Sequence, residues 1–249
     1  MNEFPIESQT SASDRQVLLG LRSFFGDKLQ YAYAEIGSFL GGSIVPFARD
    51  PKCRKILSID HREQQQPDER GAIFDYRGVT SAQMIGNIRA LGIDTGKIET
   101  FDLPVDRYER PQNSGLFDLL FIDGEHTDRA CFRDFLYGRR LLTNDSVVCF
   151  HDSTIIWRSL CLIKELLISE EASFSIYKAA NSEMTLIFFG EYASHDVKSW
   201  IDVEPDLNVF FSRAEMAVFG QMIKSRVAVK KTDAGFSVSI RPPQLMKAF

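Results

Sequence analysis

The chain has 249 residues, with 34 acidic and 29 basic side chains and a formal charge of -5. That length buries a substantial core, as one large domain or one domain with an appendage. The slight acidic excess argues against a general nucleic-acid surface, and the first 15 residues lack the long apolar stretch of a signal peptide or membrane span.

Residues 15–28 mix apolar and basic positions and predict a leading helix. A short strand is expected over 32–37. The turn Gly41-Gly42-Ser43 then leads into a helix of about two turns that closes between Pro46 and Pro51. Pro46 falls early enough in it to be tolerated. The apolar run Lys55–Asp60 predicts a second strand, and Gln64-Gln65-Gln66 with Pro67–Gly71 reads as a polar loop. From Thr80 to Leu91, Ala82, Ile85, Ile88 and Leu91 recur at three-residue spacing and form one apolar stripe of a helix that Gly92 ends.

Lys97–Phe101 predicts a weaker strand. Leu116–Asp123 is the strongest, with the nearly continuous apolar run of a parallel strand covered on both faces. A helix over Ala130–Leu142, a strand over Ser146–His151, a helix over Ile155–Ile168 and closing strands at Ser173–Tyr177 and Met184–Phe189 follow. Strands alternating with helices predict an α/β, Rossmann-like fold: a mostly parallel sheet, seven strands in all, with helices on both faces. Beyond residue 191 the pattern changes to a helix over Arg213–Arg226 and a hairpin over Ala228–Ile240, turning at Asp233-Ala234-Gly235. The expected division is a domain over 1–190 with a helical lead-in and a C-terminal extension over 191–249. The extension packs on the core or on a second subunit, which makes a homodimer the expected assembly. The four cysteines, at 53, 131, 149 and 161, form no Cys-x-x-Cys pair, which fits buried thiols in a cytoplasmic, reducing compartment.

Parallel sheets bind ligands beyond the carboxyl ends of their strands. Here those ends carry the glycine turn 37–43, then Asp60-His61, Asp123-Gly124-Glu125-His126 and His151-Asp152-Ser153. Three of the four histidines thus fall on one predicted edge. Asp60 has two acceptor oxygens and no donor, which suits the two hydroxyls of a ribose. The glycines are either ordinary turn residues or a bare backbone that a ligand touches. Glu35 is either an acid satisfied by nearby backbone donors or a carboxylate that holds the ligand directly or by orienting the turn. Phe39 is a core plug or a ligand wall, His61 a loop histidine or a ligand neighbour, and Asp102 a loop acid or a partner for an adenine amino group. Asp123, His126, His151 and Asp152 form either a hydrogen-bonded network or a site for a divalent cation such as magnesium. No His-Glu-x-x-His, cysteine quartet, Walker loop or Gly-x-Ser-x-Gly elbow is present.

At AEIGSFLGGS (34–43), ILSID (56–60), FDLLFIDGEH (117–126) and VVCFHD (147–152) the chain resembles the class I S-adenosylmethionine-dependent methyltransferases. The nearest branch holds catechol-type and macrolide-sugar O-methyltransferases and cephalosporin-hydroxylase-like proteins. The resemblance implies transfer of a methyl group from S-adenosylmethionine to a hydroxyl of a small polar acceptor. It implies that Glu35, Gly37, Phe39 and Ser43, with Ser38 and Gly41 of the same turn, line the methionine and sugar part of the cofactor. Asp60 takes the ribose, with His61, Asp102 and Asp123 completing the cofactor site. Magnesium or another divalent cation would rest on Asp123 and Asp152, with His151 as a further ligand. His126 falls where catechol-type enzymes place a lysine base, and His151 is a second candidate base. The chain departs from the family at Ser153, where asparagine is frequent, and at His151, where one subgroup has glutamate. Two other classes fit less well. An NAD-linked oxidoreductase calls for Gly-x-Gly-x-x-Gly, where this turn reads Glu-x-Gly-x-x-x-Gly-Gly-Ser, and a non-catalytic scaffold that keeps the fold is left open by the 191–249 tail and Ser153. Neither nucleic acid nor membrane is an expected partner.

Overall fold

The computed structural model describes residues 2–62, 64–112, 115–232 and 235–247. Helix α1 (Ala12–Gly26) starts three residues earlier than the apolar pattern predicts. Ser11 caps it, and Asp14 answers with a bond back to the Ser11 N–H, a reciprocal box that satisfies two otherwise unpaired donors. Strands β1 (Tyr31–Ile36) and β2 (Cys53–Ile59) flank a helix α2 (Val45–Arg49) of five residues, shorter than the two turns expected. Pro46 sits at its start.

The 64–75 segment, expected as a loop, holds two short antiparallel strands, β3 (Gln65–Pro67) and β4 (Ala72–Asp75). Helix α3 (Ser81–Ala90), β5 (Ile98–Phe101), β6 (Phe117–Ile122), α4 (Asp128–Gly138), β7 (Leu142–Phe150), α5 (Trp157–Ser169), β8 (Phe174–Lys178) and β9 (Thr185–Phe189) follow. The main sheet has seven strands in the order β5-β2-β1-β6-β7-β9-β8. The first five run parallel, and β9 lies antiparallel to both β7 and β8. This is the predicted doubly wound architecture. Strand β1 is buried along its whole length, between β2 and β6. The chain leaves it in opposite directions, so a crevice opens beyond its carboxyl end.

One face of the sheet packs on α1 through Leu18, Leu21 and Phe25, on α2 through Phe47 and on α3 through Met84 and Ile88. The other packs on α4 through Phe135, on α5 through Leu160, Ile163 and Leu167, and on α6 (Leu207–Arg226) through Phe210, Phe211 and Ala214. The amino-terminal half of α6 therefore belongs to the core. Strands β10 (Val227–Thr232) and β11 (Gly235–Ile240) form the expected hairpin, whose turn residues Asp233 and Ala234 lie outside the described residues. Strand β12 (Gln244–Lys247) returns to pair in parallel with β4. The tail of the chain thus braces the segment that stands over the strand ends.

Candidate functional site

Beyond β1 the backbone takes left-handed conformations at Gly37 (φ +89°), Phe39 (φ +45°) and Gly41 (φ +90°). The space each glycine leaves is used by protein. A Cβ on Gly37 would stand 2.0 Å from the Asp123 carbonyl oxygen, one on Gly41 2.8 Å from Met84 Cγ, and one on Gly42 2.6 Å from Ser8 Cβ. The glycines let β6, α3 and the amino-terminal segment close onto the turn. Gly37 and Gly42 also line the pocket beyond the turn.

The turn brings its own N–H groups to Asp60: Phe39 N–H donates to Asp60 Oδ2 at 2.9 Å. Two pockets meet at this acid and share Gly37, Asp60, Gln66 and Gly124. The larger, about 540 Å³, runs past Ser38, Phe39 and Ser43 to Asp123, roofed by Glu7–Gln9 and Tyr76. The smaller, about 380 Å³, runs between His61, Leu103–Val105, Glu125 and Asp134. Asp60 stands at the waist of a cleft with two arms. Burial raises its pKa, while Arg62 and the turn N–H groups oppose the shift.

Gly37, Ser38, Phe39, Ser43, Asp60, His61 and Asp123 line this cleft. Three expected residues do not. Glu35 is fully buried beneath the turn, where the Tyr33 and Ser43 hydroxyls bond its two oxygens. Burial lifts its pKa to about 8; the two hydroxyls oppose that shift, and the Asp123 and Asp60 charges reinforce it. It acts on the pocket only through Ser43. Gly41 faces Met84 and Ile88. Asp102 is held by Arg62 Nη1 at 2.6 Å and by the Ser81 hydroxyl, off the cleft wall.

The acid–imidazole cluster meets the larger arm through Asp123, its one member that lines the pocket. His126 Nε2 lies 2.9 Å from Asp152 Oδ2, and its Nδ1 faces Asp68 at 3.9 Å. His151 Nδ1 lies 2.9 Å from Asp123 and 3.1 Å from Asp152, while its Nε2 faces Asp14 of α1 at 3.3 Å. Burial disfavours charge on both imidazoles. For His126 the Asp152 and Asp68 carboxylates outweigh it and lift the pKa to about 10. For His151 Asp123, Asp152 and Asp14 do the same, to well above the usual histidine value. Neither imidazole nitrogen of His151 is without a carboxylate neighbour. Both its nitrogens face carboxylates, and it serves as a buried cation that ties α1 to the ends of β6 and β7.

Asp123, His126 and Asp152 each offer one donor atom, all within 4.8 Å of one another. Two carboxylates and an imidazole suit manganese, iron or zinc as well as magnesium. Those three residues fit a divalent cation, and His151 is not among them.

Several residues of the site escape sequence reading. Gln66 and Tyr76 lie in a stretch with no periodic signal, and Asp134 sits inside an amphipathic helix. Asp14 alone left a trace, the Ser11-x-x-Asp14 spacing of a helix cap.

Residues 34–153 match the family model described as a methyltransferase domain, Methyltransf_24. No curated protein sequence matches the chain. Among solved structures, the O-methyltransferase TomG of Streptomyces achromogenes, involved in tomaymycin synthesis and bound to SAM, is 16% identical. The match covers 75% of this chain and 84% of TomG, with a TM-score of 0.51. The O-methyltransferase NovP is 12% identical over 71% of this chain and 80% of its own, TM-score 0.57. An O-methyltransferase of Bacillus cereus bound to SAH is 14% identical over 75% and 84%, TM-score 0.54. At these identities the likeness is one of fold, and the fold is that of class I methyltransferases. The match over residues 34–153 is likewise to a methyltransferase domain.

Proposed function

We propose that this protein transfers the methyl group of S-adenosylmethionine to a hydroxyl of a small polar acceptor. The observation that carries the reading is the two-armed cleft with Asp60 at its waist and an acid–imidazole cluster that meets one arm at Asp123. Asp60 accepts the ribose hydroxyls, held in place by the Phe39 N–H. The arm past Ser38, Phe39 and Ser43 takes the methionine part, and the arm past His61 takes the nucleobase.

The sulfonium methyl is electrophilic, so the acceptor oxygen must be close, in line and short of its proton; positioning supplies much of the rate. A hydroxyl at the cluster donates to Asp152. His126 acts as the base in its neutral form, after its own proton has left to solvent, and takes the acceptor's proton as the methyl group is transferred. With a divalent cation on Asp123, His126 and Asp152 instead, His126 would be a ligand and not the base, and the cation would supply Lewis acidity to the acceptor oxygen. The polar side chains Glu7, Ser8 and Gln9 that line the larger arm favour a small polar acceptor.

The C-terminal extension is proposed to cover a second copy of the chain. Met216 and Phe219 of α6 and Val229, Val238 and Ile240 of the hairpin are exposed, and a lone two-stranded hairpin is marginal in water. The test of the activity is methyl-labelled S-adenosylmethionine offered with pooled small hydroxylated metabolites. An O-methyl product with equal S-adenosylhomocysteine supports the reading; label arriving only on nitrogen or carbon contradicts it.

A further inference from the structure

The tail of the chain, beyond the domain match at 34–153, reaches the surroundings of His126 through the turn between β3 and β4. Glu69 of that turn grips the start of α4 twice. Its N–H donates to the His126 carbonyl at 3.1 Å, and its Oε1 accepts from the Asp128 N–H at 2.9 Å. Asp128 is the first residue of α4, so its N–H has no partner within the helix, and a carboxylate suits that end of the helix dipole. Beside it Asp68 faces the His126 ring, and Arg70 Nε fixes Asp68 at 2.9 Å from both carboxylate oxygens. Glu69 lines neither arm of the cleft. The tail holds this turn from its other side. Ser225 Oγ, at the end of α6, donates to the Arg70 carbonyl at 2.8 Å. Gly71 takes φ +81°, and a Cβ there would stand 3.2 Å from Arg226 Cδ, so the Arg226 stem lies on the turn. Arg226 Nε donates to the Arg241 carbonyl at 2.9 Å, and the Arg241 N–H returns a bond to the Arg226 carbonyl at 2.6 Å. That closure turns the chain back, so that Gln244–Lys247 pairs with Ala72–Asp75.

We propose that the tail is a positioning element of the methyl-transfer site: the end of α6 and β12 fix the segment 68–75, and Glu69 of that segment is a positioning residue that fixes the backbone carrying His126. The inference rests on the role given to His126 above. It holds whether that side chain serves as base or as metal ligand, since either task needs a ring held within a fraction of an ångström. The link from β6 to α4 is irregular backbone, and the Glu69 N–H supplies the donor to the His126 carbonyl. Freeing the segment from β12 therefore frees the link.

The test reads the imidazole signals of the full-length protein by nuclear magnetic resonance. There are four histidines, and His126→Gln assigns the signal of interest. Glu69→Ala is expected to shift the His126 signal. Glu69→Gln keeps an oxygen that accepts from the Asp128 N–H and is expected to leave the signal in place. Of two adjacent strand residues one points its N–H at β4, so Leu245→Pro with Met246→Pro removes a ladder donor at half-exposed positions. This double variant is expected to shift the His126 signal as Glu69→Ala does. His195, packed against Phe24 and Phe188, should keep its signal throughout. A His126 signal unchanged in Glu69→Ala or in the double variant overturns the proposal, as does one that moves only together with His195. With the acceptor found by the labelling test above, Glu69→Ala should lower turnover by about 10-fold or more while KM for S-adenosylmethionine stays within about threefold; full turnover overturns the positioning role. If the double variant fails to fold, hydrogen exchange of the wild type decides. Amides of Ala72–Asp75 and Gln244–Lys247 that open together support the link, and independent opening overturns it. Wild-type protein that does not bind S-adenosylhomocysteine refutes the cofactor reading itself, whereas firm binding with a His126 signal indifferent to these variants refutes only the role of Glu69 and the tail.

Discussion

Glu35→Gln should change how stability depends on pH. Glu35 is fully buried, and its pKa rises from 4.5 to about 8, chiefly through burial. In the unfolded chain it loses its proton near 4.5; in the folded protein it keeps the proton to about 8. Between those values the folded state binds the extra proton, so stability falls as pH rises. The contribution is whole below about pH 4.5 and gone above about pH 8, and its ceiling is about 5 kcal/mol. Shared charge and local relaxation reduce that to a few kcal/mol. Glutamine has nearly the same shape and no proton to lose, and the Tyr33 and Ser43 hydroxyls can each turn to donate or accept. Urea unfolding of both proteins from pH 4.5 to 8.5 gives the difference curve. The variant should gain on the wild type steadily across that range, while S-adenosylhomocysteine affinity stays within about threefold, because Glu35 does not line the cleft. Parallel stability curves would refute the claim that Glu35 is a buried, protonated prop.

Gly37→Ala places a Cβ 2.0 Å from the Asp123 carbonyl at φ +89°. It should cost about 3 kcal/mol or more in urea unfolding, and a loss below about 1 kcal/mol would mean that β1 and β6 can part cheaply. His151→Ala leaves Asp14, Asp123 and Asp152 facing one another without their shared cation. A loss of about 3 kcal/mol is expected, and an unchanged unfolding midpoint would remove the tie assigned to it. His126→Ala should spare cofactor binding and lower turnover by about 100-fold or more; full turnover would exclude it as the base. Light scattering should find a dimer that Phe219→Glu with Val238→Glu converts to monomer, whereas a monomeric wild type would contradict the interface drawn on α6 and the hairpin.

The parts of the fold legible in the sequence were those with local signatures. Tyr31–Ile36, Phe117–Ile122 and the end of Leu142–Phe150 are buried apolar runs, and their order alone implies the parallel sheet. Asp60 at a strand tip and the turn before it were legible for the same reason. What stayed hidden depends on distant partners. Gln65–Pro67 looks like loop, because its strand character comes from pairing with β4, which in turn pairs with the tail. The role of His151 is set by Asp14, 137 positions away. The engagement of Asp102 follows from Arg62 bending back to it. Spacing reveals which groups gather at the strand ends, but only packing decides which of them carry protons and which face the cleft.

All of these assignments assume a cleft that grips a nucleoside around Asp60. Calorimetric titration of S-adenosylmethionine into the wild type and into Asp60→Ala tests that most directly. Saturable one-to-one binding by the wild type, weakened by about 10-fold or more in the variant, is predicted. Equal affinities, or a wild type that ignores S-adenosylmethionine and binds a nicotinamide dinucleotide instead, would contradict it.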